Sequence, residues 1–168
     1  MKVLILALFF STFTFAAEDL SKMTNAEKVV WSFNTLNKDN LSEVVDQFYH
    51  EDLEFADPVE KIKGREQMKK YYSNMYKNVK EIKFDFGEMV SQGDTVVGVW
   101  VMTLKTDSLN DGEPFSVEGN SVIRFKDGKA IYHRDYFDMG AFIYERIPVI
   151  GWMVRKVKSK LKLESAEK

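Results

Sequence analysis

A histidine and an aspartate lie two positions apart inside a hydrophobic run late in the chain. If residues 130–138 form a strand, alternate side chains lie on the same face of it. That face then carries Ile131, His133, Asp135 and Phe137. An imidazole and a carboxylate framed by apolar side chains can form the floor of a small-molecule pocket and exchange protons there. The same pair can also be a satisfied polar cluster within a sheet.

The elements that position this pair are predicted by hydrophobic periodicity. Alternating apolar residues predict four strands connected by hairpins, at residues 82–86, 96–104, 115–125 and 130–138. Gly93-Asp94 and Asp127-Gly128 are typical of the tight turns between such strands. A fifth strand at residues 53–57 ends before Pro58, and the stretch from there to Lys63 is predicted to be a loop.

Helices are predicted before and between these strands, at residues 25–36, 41–49 and 65–78. The first begins with a capping box at Thr24 and Glu27, whose side chains can satisfy the free backbone donors at a helix start. Helices followed by a run of hairpin-connected strands predict an α+β domain, with the helices packed on one face of a curved antiparallel sheet.

Composition limits the function further. With 168 residues, of which 45% are hydrophobic, the chain suits one globular domain. A net charge of −2, without a broad basic surface, argues against binding to nucleic acid. The chain has two histidines and no cysteine, so disulfides are excluded and we predict no metal site. The glycines are too scattered for a phosphate-binding loop, and we predict no cofactor.

The amino-terminal residues predict export. Lys2 precedes the apolar run of residues 3–10, and Ala16 and Ala17 are small residues suited to signal peptidase. The run is shorter than the roughly 20 residues that span a bilayer. We therefore predict a signal peptide at residues 1–17 and a periplasmic or secreted protein, with a globular domain at residues 18–140.

Residues 141–168 are predicted to be a basic amphipathic extension. A short helix around Ala141 is expected to be interrupted at Pro148 and Gly151, before a basic amphipathic stretch at residues 152–161. This stretch could make weak contact with a membrane surface. Alternatively, the stretch is a helix that packs on the sheet or on a partner subunit and keeps its lysines in water. The short apolar face favours this alternative.

Several short motifs, in their order and spacing, resemble the nuclear-transport-factor-2-like superfamily in its SnoaL-like branch. They are residues 54–59, Gly64-Arg65-Glu66, residues 122–125 with Asp127-Gly128-Lys129, and residues 133–138. The resemblance covers about residues 25–138. It implies a cone-shaped α+β fold with the amino-terminal helices on the concave face of the sheet, and a homodimer. The fold hosts isomerases, cyclases, hydrolases, dehydratases and binding modules, so function must be argued from the site.

Two enzymatic relatives fit the chain incompletely. In ketosteroid isomerases, the position that resembles Asp57 is the general base, but the two oxyanion donors fall at Phe33 and Ser121, and a phenyl ring cannot donate a hydrogen bond. Limonene epoxide hydrolases use an arginine and an aspartate where Trp100 and Met102 stand here. The resemblance therefore does not supply either complete mechanism.

SnoaL-type cyclases use an aspartate of the last strand as a base, assisted by a histidine, which implies that Asp135 and His133 could serve. The candidate catalytic residues are thus Asp135, Asp57 and His133. The inward, pocket-lining set is Phe33, Phe55, Trp100, Met102, Ser121 and Phe137, together with Gly119. A mostly apolar lining with few polar groups suits a small hydrophobic molecule.

Two functions are consistent with this pattern. The first is an exported protein that binds a small hydrophobic molecule in the cone cavity, with isomerase-, cyclase- or hydrolase-type proton transfer through an inward aspartate. The alternative is a non-catalytic binding or dimerisation module whose cavity is filled by side chains, as the large Trp100 and Met102 suggest. In that case Asp135 pairs with His133 or an arginine, and Asp57 caps the turn at Pro58. The sequence leaves open whether the protein is an enzyme.

Overall fold

The computed structural model describes residues 19–161, and the predicted signal peptide at residues 1–17 lies outside the described residues. The described part contains five α-helices and six strands. The helices are α1 (Asn25–Thr35), α2 (Leu41–Phe48), α3 (Arg65–Met75), α4 (Met139–Phe142) and α5 (Pro148–Ser159). The strands are β1 (Tyr49–Ala56), β2 (Lys61–Lys63), β3 (Val79–Gln92), β4 (Thr95–Thr106), β5 (Phe115–Lys126) and β6 (Lys129–Phe137).

The strands form one open sheet in the order β2-β1-β6-β5-β4-β3. The hairpins β3–β4, β4–β5 and β5–β6 are antiparallel, as predicted, whereas β1 pairs with β6 in parallel and makes the sheet mixed. The predicted α+β cone fold is confirmed. The loop prediction between Pro58 and Lys63 was wrong in part, because Lys61–Lys63 pairs with β1 as an edge strand.

Helix α1 lies across the sheet. Its start is fixed by the predicted capping box, in which the Thr24 hydroxyl accepts a bond from the Glu27 amide and the Glu27 carboxylate accepts one from the Thr24 amide. Further along, Phe33 packs edge-to-face on Phe84 with ring centroids 4.9 Å apart. This places Phe33 over the half of the sheet that contains the cavity described below.

The core has two parts. The larger cluster lies between α1, α2, α3 and the β1–β6–β5 region, and its fully buried side chains include Val45, Phe48, Leu53, Met68 and Ile123. The smaller cluster lies on β4 and β5 and consists of Trp100, Met102, Leu104, Phe115 and Val117. The larger cluster therefore contributes most of the apolar burial that stabilises the fold. Strand β4 extends beyond this cluster and forms part of the wall of a cavity.

A β-bulge on β6 changes the predicted alternation of side chains. His133 pairs with Ile123 and Tyr132 with Arg124, but the next residue of β5, Phe125, pairs with Ala130. The extra residue is Ile131, and the sequence-based prediction that Ile131 shares the face of His133 was wrong. Ala130 is buried in its place, because a bulge shifts the two-residue period by one position.

The carboxyl-terminal extension differs from its prediction. Pro148 begins α5 rather than interrupting it, as its fixed φ angle allows at the first turn, and Gly151 lies inside the helix. Helix α5 packs on a 3₁₀ turn at Tyr144–Arg146. Among the described residues, no helix combines the length and the apolar character needed to cross a bilayer.

Candidate functional site

A cavity of about 360 Å³ lies between α1, α3 and the sheet. Its wall includes five of the predicted lining residues, namely Phe33, Phe55, Trp100, Met102 and Phe137. Trp100 and Met102 lie in the wall and leave the cavity open. Two residues from the carboxyl-terminal segment, Phe142 and Ile143, complete one side. Among the described residues, Asp57 and Asp135 are the only acidic or basic side chains in this wall, so the cavity is a mostly apolar space with two carboxyl groups and some uncharged polar side chains.

Ser121 and His133 lie behind the wall, next to Asp135. Both are almost fully buried, at 1% and 0% exposure. Ser121 on β5 stands directly opposite Asp135 on β6, so the strand register brings the two side chains together. Three of the residues predicted from the sequence thus form one polar group, with only Asp135 reaching the cavity.

Both hydrogen bonds to Asp135 are made to the same carboxylate oxygen. Oδ1 accepts from the Ser121 hydroxyl at 2.5 Å and is 2.7 Å from Nε2 of His133. The indole Nε1–H of Trp100 donates in turn to the Ser121 oxygen at 2.8 Å, which orients the serine proton toward Asp135. In the described part of the chain Oδ2 makes no hydrogen bond. It is therefore the oxygen that a molecule in the cavity can reach.

The imidazole of His133 is held on its other side by two tyrosines. Nδ1 lies 2.7 Å from the Tyr49 hydroxyl, which lies 2.9 Å from the Tyr72 hydroxyl. Burial raises the pKa of both tyrosines well above its usual value, so both remain protonated. With a neutral imidazole, we assign Tyr72 as donor to Tyr49, Tyr49 as donor to Nδ1, and Nε2–H as donor to Asp135.

Aromatic rings also fix the plane of this imidazole. The ring of Tyr49 stacks on it at 5.9 Å, and the ring of Phe55 meets it edge-on at 5.1 Å. Phe33, from α1, packs on it at 5.6 Å. His133 is thus immobilised by packing and by hydrogen bonds on both nitrogens, and together with Ser121 it holds the carboxylate of Asp135 in place.

Asp57 has a different environment. Its Oδ1 accepts from the backbone amides of Val59 and Glu60, each at 2.7 Å. Its Oδ2 accepts from the Tyr71 hydroxyl at 2.5 Å. Burial, and then the bond to Asp57, raise the pKa of Tyr71, so this donor also stays protonated. Both oxygens of Asp57 are occupied, as expected of a carboxylate that caps the turn at Pro58.

The hydroxyl groups of Tyr49, Tyr71 and Tyr72 connect to His133 or Asp57 by hydrogen bonds that the sequence did not reveal. The sequence places Tyr71 and Tyr72 only within the predicted helix at residues 65–78, and Tyr49 only at the end of the predicted helix at residues 41–49. The available signal was that buried tyrosines need hydrogen-bond partners for their hydroxyl groups. Periodicity alone could not say that two adjacent residues of α3 would reach different aspartates, one directly and one through Tyr49 and His133.

The chemistry available in the cavity is that of one oriented carboxylate in an apolar space. Such a group can accept a proton from a bound molecule and return it. Among the described residues, no group of three or more histidine and acidic side chains is arranged to hold a metal ion.

The chain matches one family of known proteins. The family model described as SnoaL-like domain matches residues 29–133. No curated protein matches the chain.

Three similar solved structures illustrate the likeness of fold. A SnoaL-like polyketide cyclase, so named provisionally, from Jannaschia sp. CCS1 has a TM-score of 0.61 and 17% identity, covering 71% of this chain and 88% of that one. TerC, co-crystallised with polyporic acid, has a TM-score of 0.59 and 21% identity, covering 70% and 94%. A Catenulispora acidiphila protein with a ketosteroid isomerase-like fold, in complex with trimethylamine, has a TM-score of 0.60 and 18% identity, covering 73% and 93%. At these identities the likeness establishes the fold.

Proposed function

Since the SnoaL-like domain match covers more than half of the chain, the protein belongs to the SnoaL-like family, and we propose that it binds a small hydrophobic molecule in the cone cavity and transfers a proton on that molecule with Asp135. The observation that carries this proposal is the open Oδ2 oxygen of Asp135 in the wall of an apolar cavity.

The apolar wall supplies affinity and the carboxylate supplies orientation. Aromatic and aliphatic side chains around a space of about 360 Å³ suit a ligand with a compact hydrophobic body. A polar or acidic hydrogen of that ligand would be directed to Oδ2, because Oδ1 is already occupied by Ser121 and His133.

Asp135 acts as the general base in this proposal. Its Oδ2 accepts a proton from a carbon or hydroxyl group of the ligand and can return the proton to a second position, which is the transfer that isomerisation or ring closure requires. His133 and Ser121 are positioning residues, because they touch Asp135 from behind the wall. Asp57 is a structural residue of the cavity, since its oxygens are used within the fold.

Structures of similar fold support small-molecule binding. TerC holds polyporic acid, and the Catenulispora acidiphila protein holds trimethylamine.

A ligand screen tests the role of Asp135. Compounds that raise the melting temperature of the wild-type protein should bind Asp135→Asn at least about tenfold more weakly, since a hydrogen bond to a charged group is lost. Asp39→Asn removes an exposed carboxylate on the loop before α2 and should bind like wild type. Equal shifts for every compound with Asp135→Asn would remove Asp135 from the site.

Hydrogen exchange into the bound ligand separates catalysis from binding. In deuterated water, the wild-type protein should accelerate deuterium incorporation at an acidic position of a ligand, as followed by NMR, and Asp135→Asn should not. Binding that depends on Asp135 without any accelerated exchange would favour the non-catalytic binding module.

Export and dimerisation are also parts of the proposal. We infer removal of residues 1–17 from the apolar run and the small residues after it. The mass of the protein recovered from periplasmic and culture fractions tests this cleavage. Sedimentation velocity tests the homodimer that the superfamily resemblance implies.

A further inference from the structure

Helix α5 presents an apolar stripe to solvent. Val149, Met153 and Val157 follow one another at intervals of four residues, which places them on one face of the helix. They are 71%, 53% and 61% exposed, and the neighbouring Trp152 is 57% exposed. A surface helix normally turns such a stripe inward.

The opposite face of α5 is the one that docks on the domain. Gly151 is buried against the Tyr144–Arg146 turn, where an added Cβ would lie 2.2 Å from the Glu145 carbonyl oxygen. Arg155 donates to that same carbonyl oxygen at 2.9 Å, and Lys158 pairs with the Glu145 carboxylate. The helix is thus anchored through its glycine and polar face, and this anchoring forces its apolar stripe outward.

The charge of this segment is opposite to that of the whole chain. Residues 147–161 contain four basic side chains and no acidic one, whereas the chain carries a net charge of −2. Arg155 and Lys158 are engaged with Glu145. Lys156 lies over the Trp152 ring at 4.9 Å and, like Lys160, is exposed beside the apolar stripe.

We propose that this outward face of α5, defined by Val149, Trp152, Met153, Lys156, Val157 and Lys160, binds the surface of an anionic phospholipid bilayer. Apolar side chains of an interfacial helix enter the boundary between headgroups and acyl chains, while tryptophan and lysine suit the headgroup level. A second copy of the chain is a poorer occupant, because pairing two such faces would bring four lysines together.

Co-sedimentation with vesicles tests this surface. The protein, purified as the cell processes it and with its amino terminus determined by mass spectrometry, is mixed with vesicles of phosphatidylcholine alone or of phosphatidylcholine and phosphatidylglycerol. Binding should be stronger to the anionic vesicles and should weaken as salt is added. No binding to either vesicle would overturn the proposal.

Variants separate the charged and apolar contributions. Removing each lysine should weaken binding to anionic vesicles about fivefold, so Lys156→Gln with Lys160→Gln should weaken it at least about twentyfold. Met153→Gln with Val157→Gln should weaken binding more than about tenfold. The matched control, Lys38→Gln with Lys70→Gln, removes two exposed lysines elsewhere and should bind as wild type does. Equal binding by all these variants would overturn the proposal.

Two further measurements distinguish a lipid surface from a second copy of the chain as the occupant of this face. Fluorescence of Trp152 should shift to shorter wavelength on anionic vesicles, and Trp152→Phe should abolish the shift. Circular dichroism should show that each variant keeps its fold. Self-association that the Met153→Gln, Val157→Gln double variant abolishes would overturn the proposal and assign the face to a second copy. Because the ligand screen of Asp135 does not use vesicles, the two proposals fail independently.

Discussion

At the scale of single residues, the two aspartates in the cavity wall show how environment determines what a carboxylate can do. Asp57 accepts three hydrogen bonds, which are distributed over both of its oxygens. It therefore holds the turn at Pro58 and the hydroxyl group of Tyr71 in place. Asp135 has two donors on one oxygen, so its second oxygen is available. Among the described residues, the same side chain therefore has both oxygens bonded at one position and one unbonded oxygen at the other, where we propose that it acts as a base.

Asp57→Ala should destabilise the protein by about 2–4 kcal/mol, because two backbone amides and the partly buried hydroxyl of Tyr71 lose their carboxylate acceptor. Asp57→Asn keeps an acceptor for the amides and should cost less. Urea denaturation of both variants measures the difference. If Asp57→Ala unfolded at the wild-type urea concentration, the bonds to Asp57 would not stabilise the fold.

Alkaline pH should destabilise the protein through its buried tyrosines. Burial raises the pKa of Tyr49, Tyr71 and Tyr72 above the value of about 10 expected in the unfolded chain. The stability that follows from this difference is complete below about pH 10 and is lost as pH rises from there toward the folded-state pKa.

Tyrosinate absorbance and urea denaturation, followed together against pH, check this expectation. The three tyrosines should ionise only as the protein unfolds, and Tyr71→Phe should make the alkaline loss of stability less steep. Ionisation of every tyrosine near pH 10 in a protein that stays folded would contradict the prediction.

At the scale of elements, the register of β5 and β6 assembles the polar group. It places Ser121 opposite Asp135, while alternation along β6 places His133 and Asp135 on one face. Alternation could be predicted from the sequence, and it correctly grouped His133, Asp135 and Phe137. The bulge at Ile131 could not be predicted, because nothing in the local sequence distinguishes an extra residue from the regular pattern.

The docking of α5 depends on close approach at Gly151. Gly151→Ala would place a methyl group 2.2 Å from the Glu145 carbonyl oxygen, so the helix must shift away from the Tyr144–Arg146 turn. We expect faster amide hydrogen exchange throughout α5 and nearly unchanged exchange in the β-sheet. Val149→Ala, on the exposed face, is the matched control and should leave exchange in α5 close to that of wild type.

At the scale of the whole molecule, the fold could be predicted more fully than the site. Hydrophobic periodicity, the capping box and the turn residues placed the first three helices, the four-stranded hairpin run and β1, with boundaries that differed by up to six residues, the largest difference being at the end of β3. The family resemblance supplied the cone. The orientation of the carboxylates could not be predicted, because it depends on partners such as Tyr71 and Trp100 that are distant in sequence.

The extension was the least predictable part. Proline and glycine usually interrupt helices, which led to the wrong prediction at Pro148 and Gly151. Here Pro148 is the first residue of α5, and Gly151 is needed for contact with a neighbouring turn. Only the tertiary packing distinguishes these uses of the same residue types.

Gly119 also affects the cavity as a whole. A Cβ at Gly119 would lie 2.2 Å from the far end of the Trp100 indole, so Gly119→Ala should push that ring into the cavity and cost about 1–3 kcal/mol of stability. Thermal unfolding measures the cost. Trp100→Phe, added to Gly119→Ala, should recover part of it, and no recovery would show that Trp100 is not the group displaced.

The far end of the Trp100 indole lies over the backbone of Gly119, where no side chain separates the two. The missing side chain therefore determines how far the indole extends into the cavity, and so how thick a ligand the cavity can hold. In a series of ligands of increasing thickness, Gly119→Ala should reject the thicker members first and continue to bind the thinnest. Gly119 lies outside the wall and would never touch the ligand. It would nevertheless set the molecular size limit of the protein, which could be lowered by adding one methyl group.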